Sequence, residues 1–147
     1  MNNAVLADRK LPVWILLVAV LGAAWNAFGL YQLNASLSQS EAGLMMQGMS
    51  AEAARVYHNL PLWMNLAFAV GAGGGLLGCL ALIARRGFAL PVLVASLAGY
   101  VVLFAGDLAY GLFDLIPGQM AILLTVLAIA IILMAVAIHA QRKGLLR

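Results

Sequence analysis

Charged residues are scarce in this chain. Asp, Glu, Lys and Arg make up 9% of its 147 residues, against about 25% in ordinary soluble domains. Hydrophobic residues make up 65%, and the mean hydropathy is +1.04. A chain with so few polar residues cannot cover a soluble domain, so we predict a single integral membrane domain over residues 1–147.

Cysteine and histidine are also nearly absent. The one cysteine, Cys79, lies in an apolar stretch, which excludes an intramolecular disulfide, a Cys-x-x-Cys redox pair and a cysteine-rich metal site. The two histidines, His58 and His139, are expected near opposite faces of the membrane, so a haem held between both is not expected. We therefore predict no cofactor and no metal site.

Residue sets typical of catalysis are missing too. The sequence has no Ser-x-x-Lys and no His-Glu-x-x-His motif, and no nucleophile with a base and an orienting group. The basic residues, which raise the pI to about 9.4, flank apolar runs and do not form a phosphate-binding face. We predict that the protein is not an enzyme and that it binds no nucleic acid.

Long apolar runs are what the chain has in abundance. Residues 61–91 contain one run, the basic turn Arg85-Arg86-Gly87 and the beginning of the next run, which predicts two transmembrane helices folded back on each other. Two further runs complete four spans, over residues 13–33, 60–84, 88–112 and 119–140. The predicted fold class is all-α, a polytopic four-transmembrane-helix bundle whose first span is retained as an anchor and is not a cleaved signal peptide.

The loop over residues 34–59 is predicted to contain a short amphipathic helix on the membrane surface. Ser38-Gln39-Ser40-Glu41 has the capping-box pattern, and apolar residues follow at helical spacing. Gly48 is expected to interrupt this helix, with a new N-cap at Ser50. Methionines and His58 in this region are suitable ligands for Cu(I), although methionine at helical spacing more often forms an apolar face.

Lysine and arginine are unevenly divided between the two ends of the predicted spans. Arg55 lies in the 34–59 loop, and the other seven lie in the termini and in the second turn: Arg9, Lys10, Arg85, Arg86, Arg142, Lys143 and Arg147. Because positive charge is retained in the cytoplasm, both termini are predicted to be cytoplasmic and the loop to lie outside.

Small residues recur along the second span. Gly71, Gly75 and Cys79 follow at four-residue steps, and Gly74 and Gly78 lie on an adjoining line. Small residues at this spacing let two helix backbones approach closely in lipid. This helix-packing face is expected either to pack within the bundle or to form a seam between copies of the chain.

Polar residues within the spans fall in the outer half of the membrane. At about 1.5 Å of rise per residue, Asn26, Asn65 and Asp107 lie at similar heights, with Tyr110 close to Asp107. We interpret these four as a candidate ligand-binding pocket open to the outer side. Three more residues can join them: Trp25, Tyr100 and Gln119. The alternative is a solvated Asp107 at the interface, with the asparagines making ordinary interhelical hydrogen bonds.

Four short motifs occur between residues 12 and 110. They are Trp25-Asn26-x-x-Gly29, Leu60-Pro61-Leu62-Trp63, Gly74-Gly75-Leu76-Leu77-Gly78 and Arg85-Arg86-x-x-Ala89-x-Pro91. With these motifs the chain resembles a family of small four-helix bacterial inner-membrane proteins of unknown function, some of which carry an automatic sugar-transporter label. The resemblance implies a bacterial inner-membrane protein with both termini inside. It implies no activity and no functional residue.

Two functions are consistent with these features. The leading interpretation is a non-enzymatic accessory or scaffold subunit, which associates laterally with itself or with a larger membrane complex through small-residue faces. The alternative is a small oligomeric transporter or carrier of a lipophilic ligand, with an outer-facing polar pocket as its site. The expected partners are the lipid bilayer and either further copies of the chain or a larger membrane complex.

Overall fold

The chain folds into seven helices in the computed structural model, which describes residues 10–147. The predicted polar start with Asp8 and Arg9 lies outside the described residues. The helices are α1 (Val13–Leu37), α2 (Glu41–Met46), α3 (Ala51–His58), α4 (Leu62–Ile83), α5 (Ala89–Ala109), α6 (Leu112–Leu115) and α7 (Gln119–Arg142). Of these, α1, α4, α5 and α7 are long and apolar enough to cross a membrane. The predicted all-α class with four membrane-spanning helices is confirmed.

Two helix ends differ from the prediction by three residues or more, and the others agree within two residues. Helix α1 continues to Leu37, beyond the predicted end at residue 33, and the hydroxyls of Ser36 and Ser38 donate to carbonyl oxygens one turn back, at 2.8 and 2.9 Å. These bonds satisfy polar side chains on the helix itself. Helix α5 stops at Ala109, three residues before the predicted end, where Gly111 takes a left-handed conformation with φ of 69°.

The helix predicted in the loop between α1 and α4 is interrupted at Gly48 as expected and forms two short helices, α2 and α3. Gly48 has a φ of 98° and separates them, and the Ser50 hydroxyl accepts from the Ala53 N–H at 3.1 Å as the N-cap of α3. The cap of α2 is Ser40 and not the first serine of the capping-box pattern. We call residues 38–61 the cap segment, because they cover one end of the bundle.

Helices α4 and α5 are in close contact through glycines. A methyl group at Gly71 would lie 2.7 Å from the Tyr100 ring, and one at Gly99 would lie 2.8 Å from the backbone of α4. The Ser96 hydroxyl donates to the Gly71 carbonyl oxygen at 2.5 Å across the same contact. Because of this close approach, Ser96 and Tyr100 of α5 lie directly against α4.

An adjoining face of α4 packs against α1. Gly75 faces the Asn26 side chain so closely that an added methyl group would overlap its amide, and Cys79 lies beside Gly22. Gly71, Gly75 and Cys79 are all buried. The small residues of α4 therefore pack within the bundle, which was one of the two predicted uses of this face.

Helix α7 contacts α1 near the end of the bundle that carries Lys10, the 85–86 turn and the C-terminal tail, which we call the basic end. There a methyl group on Gly22 would meet Leu133 at 2.6 Å. Apolar residues of both helices share one buried cluster at this end: Ile15, Ala19, Leu133, Val136, Ala137 and Ala140. Towards the cap segment, α1 and α7 border a cavity.

The C-terminal tail closes the basic end. The Arg147 N–H donates to the Arg85 carbonyl oxygen at 2.7 Å, and the Gly87 N–H donates to the Arg147 carbonyl oxygen at 2.6 Å. The Arg85 side chain donates to the carbonyl oxygen of Leu145, a buried residue, at 3.1 Å. These contacts attach the tail to the turn between α4 and α5.

Candidate functional site

The cavity lies between α1 and α7 at the end opposite the basic end, and its volume is about 410 Å³. Residues of α4 and α5 form its floor, and the cap segment covers it. Ligand pockets of soluble and membrane proteins have about 300 to 1,000 Å³. The space is therefore large enough for a small organic molecule.

Most of the residues that each spanning helix contributes to the cavity share one face of that helix, and the last turn of α1 adds Ala35, Ser36 and Leu37. On α1 and α7 the positions follow i, i+3, i+4 and i+7. These lining residues are Trp25, Phe28, Gly29 and Gln32 of α1 and Gln119, Ile122, Leu123 and Val126 of α7. The floor consists of Met64, Asn65 and Phe68 of α4 and Tyr100, Leu103 and Asp107 of α5.

Asp107 faces the interior of the bundle and not the membrane interface. The residue is 2% exposed and lines the cavity. The Gln119 amide donates to its Oδ2 at 2.7 Å. Of the two placements considered for this carboxylate, the structure has the inward one, where Gln119 at the start of α7 is its neighbour.

Asn26 lies behind the cavity wall and supports it. Its amide donates to the Gly22 carbonyl oxygen at 2.8 Å, and its Oδ1 accepts from the Tyr100 hydroxyl at 2.9 Å. Asn26 and Tyr100 are both nearly fully buried, at 2% and 3% exposure. The pair links α1 to α5 across α4 and fixes the ring of Tyr100, which lines the cavity.

Asn65 lines the cavity, whereas Tyr110 lies outside it. No residue in the range 10–147 makes a hydrogen bond to the Asn65 amide, so this amide is available to a bound molecule. Tyr110 is not among the lining residues. It is the C-cap of α5, 43% exposed, with its ring 6.4 Å from that of Trp63.

The cavity has two kinds of rim. Towards the cap segment the lining residues Gln32, Gln47 and His58 are exposed, so this rim is polar. Between α1 and α7, Phe28 and Ile122 are 55% and 57% exposed and make an apolar rim. Such a cavity suits a molecule with one polar and one apolar part.

Tyr57 of α3 belongs to the cap segment and lines the cavity. Burial raises the pKa of its phenol above the ordinary value of 10, and the neighbouring Ser36 side chain lowers this pKa to a smaller extent. The phenol is therefore neutral at physiological pH.

Of the aromatic residues of the wall, Trp25 and Tyr100 were considered from the sequence, whereas Phe28 and Phe68 were not. Phe28 and Phe68 look like ordinary apolar residues of a membrane span, since lipid-facing positions have the same composition. One signal was available: Phe28, Gly29 and Gln32 follow Trp25 at helical spacing, so that a polar and a small residue share its face.

The residues considered as Cu(I) ligands were Met45, Met46, Met49 and Met64 with His58. Met46 is 90% exposed on α2 and does not line the cavity, whereas Met49, Met64 and His58 do. The structure therefore does not bring the whole predicted set together.

Comparisons with protein-family models, curated proteins and solved structures give no match for this chain. The resemblance to the bacterial four-helix family therefore stays a prediction, and the function has to be argued from the cavity.

Proposed function

We propose that this chain is a multi-pass protein of the bacterial inner membrane that binds a small lipophilic molecule in the cavity between α1 and α7, as a transporter or carrier. The observation that supports this most is the pairing of two rims on one cavity of about 410 Å³. A lipophilic molecule can reach the apolar rim from the membrane, while its polar part reaches the outer aqueous face.

The lining supports the same proposal. Aromatic and aliphatic side chains make most of the wall, and a small number of polar groups converge on it from separate helices, among them Asn65, Asp107 and Tyr57. Ligand sites usually have this composition, because apolar contacts supply affinity and a few polar groups set orientation.

We further propose that the basic end lies in the cytoplasm. Lys10, Arg85, Arg86 and the tail residues gather at that end, whereas Arg55 lies on the cap segment. Lysine and arginine are enriched in cytoplasmic loops. In this orientation the cap segment and the polar rim of the cavity face the outside.

Filling the cavity should remove the ligand. We expect native mass spectrometry of the protein, extracted gently from its own membranes, to show a bound small molecule or lipid. Val126→Trp places an indole in the cavity and should reduce this bound fraction at least about 10-fold, since a steric block leaves no room for the same contacts.

The matched control is Leu124→Trp. This residue lies on the same helix, is 51% exposed and does not line the cavity, so the bound fraction should equal that of the wild type. Equal binding by the Val126→Trp and Leu124→Trp proteins, or no bound molecule in the wild type, would contradict the proposed function.

The accessory or scaffold role stays a prediction. The small residues of α4 that suggested lateral association, including Gly71 and Gly75, are buried against α5 and α1. Association with a partner would therefore have to use other surfaces. For this reason we place the ligand-binding function first.

A further inference from the structure

Asp107 has no cationic partner in the described part of the chain. Its Oδ2 accepts from the neutral Gln119 amide at 2.7 Å, and its Oδ1 accepts no hydrogen bond from residues 10–147. No lysine or arginine of that range lines the cavity. An acidic group that is 2% exposed thus faces a cavity to which the described residues contribute no lysine or arginine, and whose histidine, His58, lies on the exposed polar rim.

A buried carboxylate is costly unless it is paired. In the membrane interior its charge needs a counter-charge or several hydrogen-bond donors, and intramembrane carboxylates usually mark a site of ligand or ion contact. One neutral amide meets a small part of this need. A positively charged group entering the cavity would complete it, because the attraction between opposite charges is strong where water is excluded.

The side chains that line the cavity beside Asp107 also suit a positively charged group. Trp25, Phe28, Phe68 and Tyr100 line the cavity together with Asp107, and aromatic faces attract organic cations while also packing against their apolar parts. We propose that the cavity binds a hydrophobic organic cation, an amine or a quaternary ammonium, whose charged group lies at Asp107. This inference rests on the proposed function and names the class of its ligand.

The charge distribution opposes anionic ligands. Arg55, the basic residue of the cap segment, is exposed and does not line the cavity. The remaining lysines and arginines of the described range lie at the basic end, remote from the cavity. An acidic ligand would therefore meet the Asp107 carboxylate with no neighbouring positive charge to offset the repulsion.

Three probes of one size and shape test this proposal. They are benzyltrimethylammonium, its neutral carbon analogue neopentylbenzene, and the anion phenylmethanesulfonate. Binding is measured by equilibrium dialysis against the purified protein in phosphatidylcholine nanodiscs, with empty nanodiscs subtracted. We expect the cation to bind at least about 10-fold more tightly than the neutral analogue, and the anion not to bind.

Asp107→Asn is the decisive variant, because it removes the charge and keeps the shape and the acceptor for Gln119. It should weaken binding of the cation roughly 10- to 100-fold and leave the neutral analogue unchanged. Asp114→Asn is the control, since Asp114 is exposed on α6 and does not line the cavity. Equal thermal stability of both variants shows that the fold is retained.

The outcomes separate this inference from the proposed function. If the neutral analogue binds as tightly as the cation, or if Asp107→Asn binds the cation like the wild type, the cationic ligand is wrong while the cavity remains a ligand site. If none of the three probes binds, this inference is wrong and the proposed function loses its support as well.

Discussion

Gly99→Ala should destabilise the protein by about 3 kcal/mol, which is the upper part of the range for overpacking a close contact. The new methyl group would lie 2.8 Å from both the Ala67 carbonyl oxygen and the Gly71 nitrogen. These are backbone atoms of α4, so no side-chain rotation relieves the overlap. Helix α5 has to move outward, and the hydrogen bond from Ser96 to the Gly71 carbonyl oxygen is lost.

Gly73→Ala is the matched control on α4. A methyl group there has no atom within 4 Å, and alanine favours a helix over glycine by up to about 1 kcal/mol. This variant should therefore be as stable as the wild type or slightly more stable. The free energy of unfolding is measured by titration with a denaturing detergent in mixed micelles, and similar values for the two variants would contradict the close α4–α5 contact.

Gly75→Ala should also cost about 3 kcal/mol, for a different reason. Its methyl group would overlap the amide of Asn26, which is held by Gly22 and by Tyr100. Here the obstacle is a side chain, so shortening that side chain should remove it. In an Asn26→Ala background, the same change at Gly75 should cost less than about 0.5 kcal/mol.

A double-mutant cycle with Asn26→Ala and Gly75→Ala measures how far the cost of Gly75→Ala depends on the Asn26 side chain. We expect a coupling energy of about 2 kcal/mol or more between positions 26 and 75 and none between positions 26 and 73, because contacting residues couple and separated ones add. Additive losses at positions 26 and 75 would mean that Asn26 does not occupy the groove at Gly75, and the link from α1 to Tyr100 would then be wrong as well.

The sequence was sufficient to predict the membrane-spanning helices and some of the residues that line the cavity. Hydropathy and length identify a span regardless of its neighbours, and a polar residue such as Asn65 or Asp107 is conspicuous in an apolar run. The break at Gly48 and the N-cap at Ser50 depend only on residues a few positions away in the chain, so both could be predicted from the sequence.

The packing of the helices against one another could not be predicted from the sequence. Every face of a transmembrane helix is apolar, so periodicity does not show which face meets α7 and which meets lipid. For this reason the separation of α1 from α7, which creates the cavity, could not be predicted. Attachment of Leu145 beside Arg85 was also missed, since it depends on two segments that are distant in sequence.

Tyr110 illustrates how one local event changes a site prediction. It was grouped with Asp107 because both lie near the outer end of the third predicted span. Helix α5 ends at Ala109, however, and Tyr110 lies beside Trp63 outside the cavity. Tyr100, which was also considered for the pocket, does line the cavity, and it lies two helical turns before Asp107 on the same face.

The central claim is that the bundle contains a cavity with a polar rim that is open to the outer side, and cysteine labelling tests this claim most directly. Cys79 is fully buried, which makes the wild type an unlabelled background. Cysteine is introduced separately at Asn65, at Val126 and at Leu124, with Cys79 retained. Each variant, in right-side-out membrane vesicles, is treated with a cationic methanethiosulfonate that does not cross the membrane. Gln47→Cys, on the exposed cap segment, serves as the positive control.

The reagent requires a hydrated, ionisable thiol. We predict labelling of the cysteines at positions 65 and 126, which line the cavity, and none at position 124, which faces lipid. If the cysteines at 65 and 126 are as unreactive as that at 124, while position 47 reacts, the cavity is closed to the outer side and the account is contradicted.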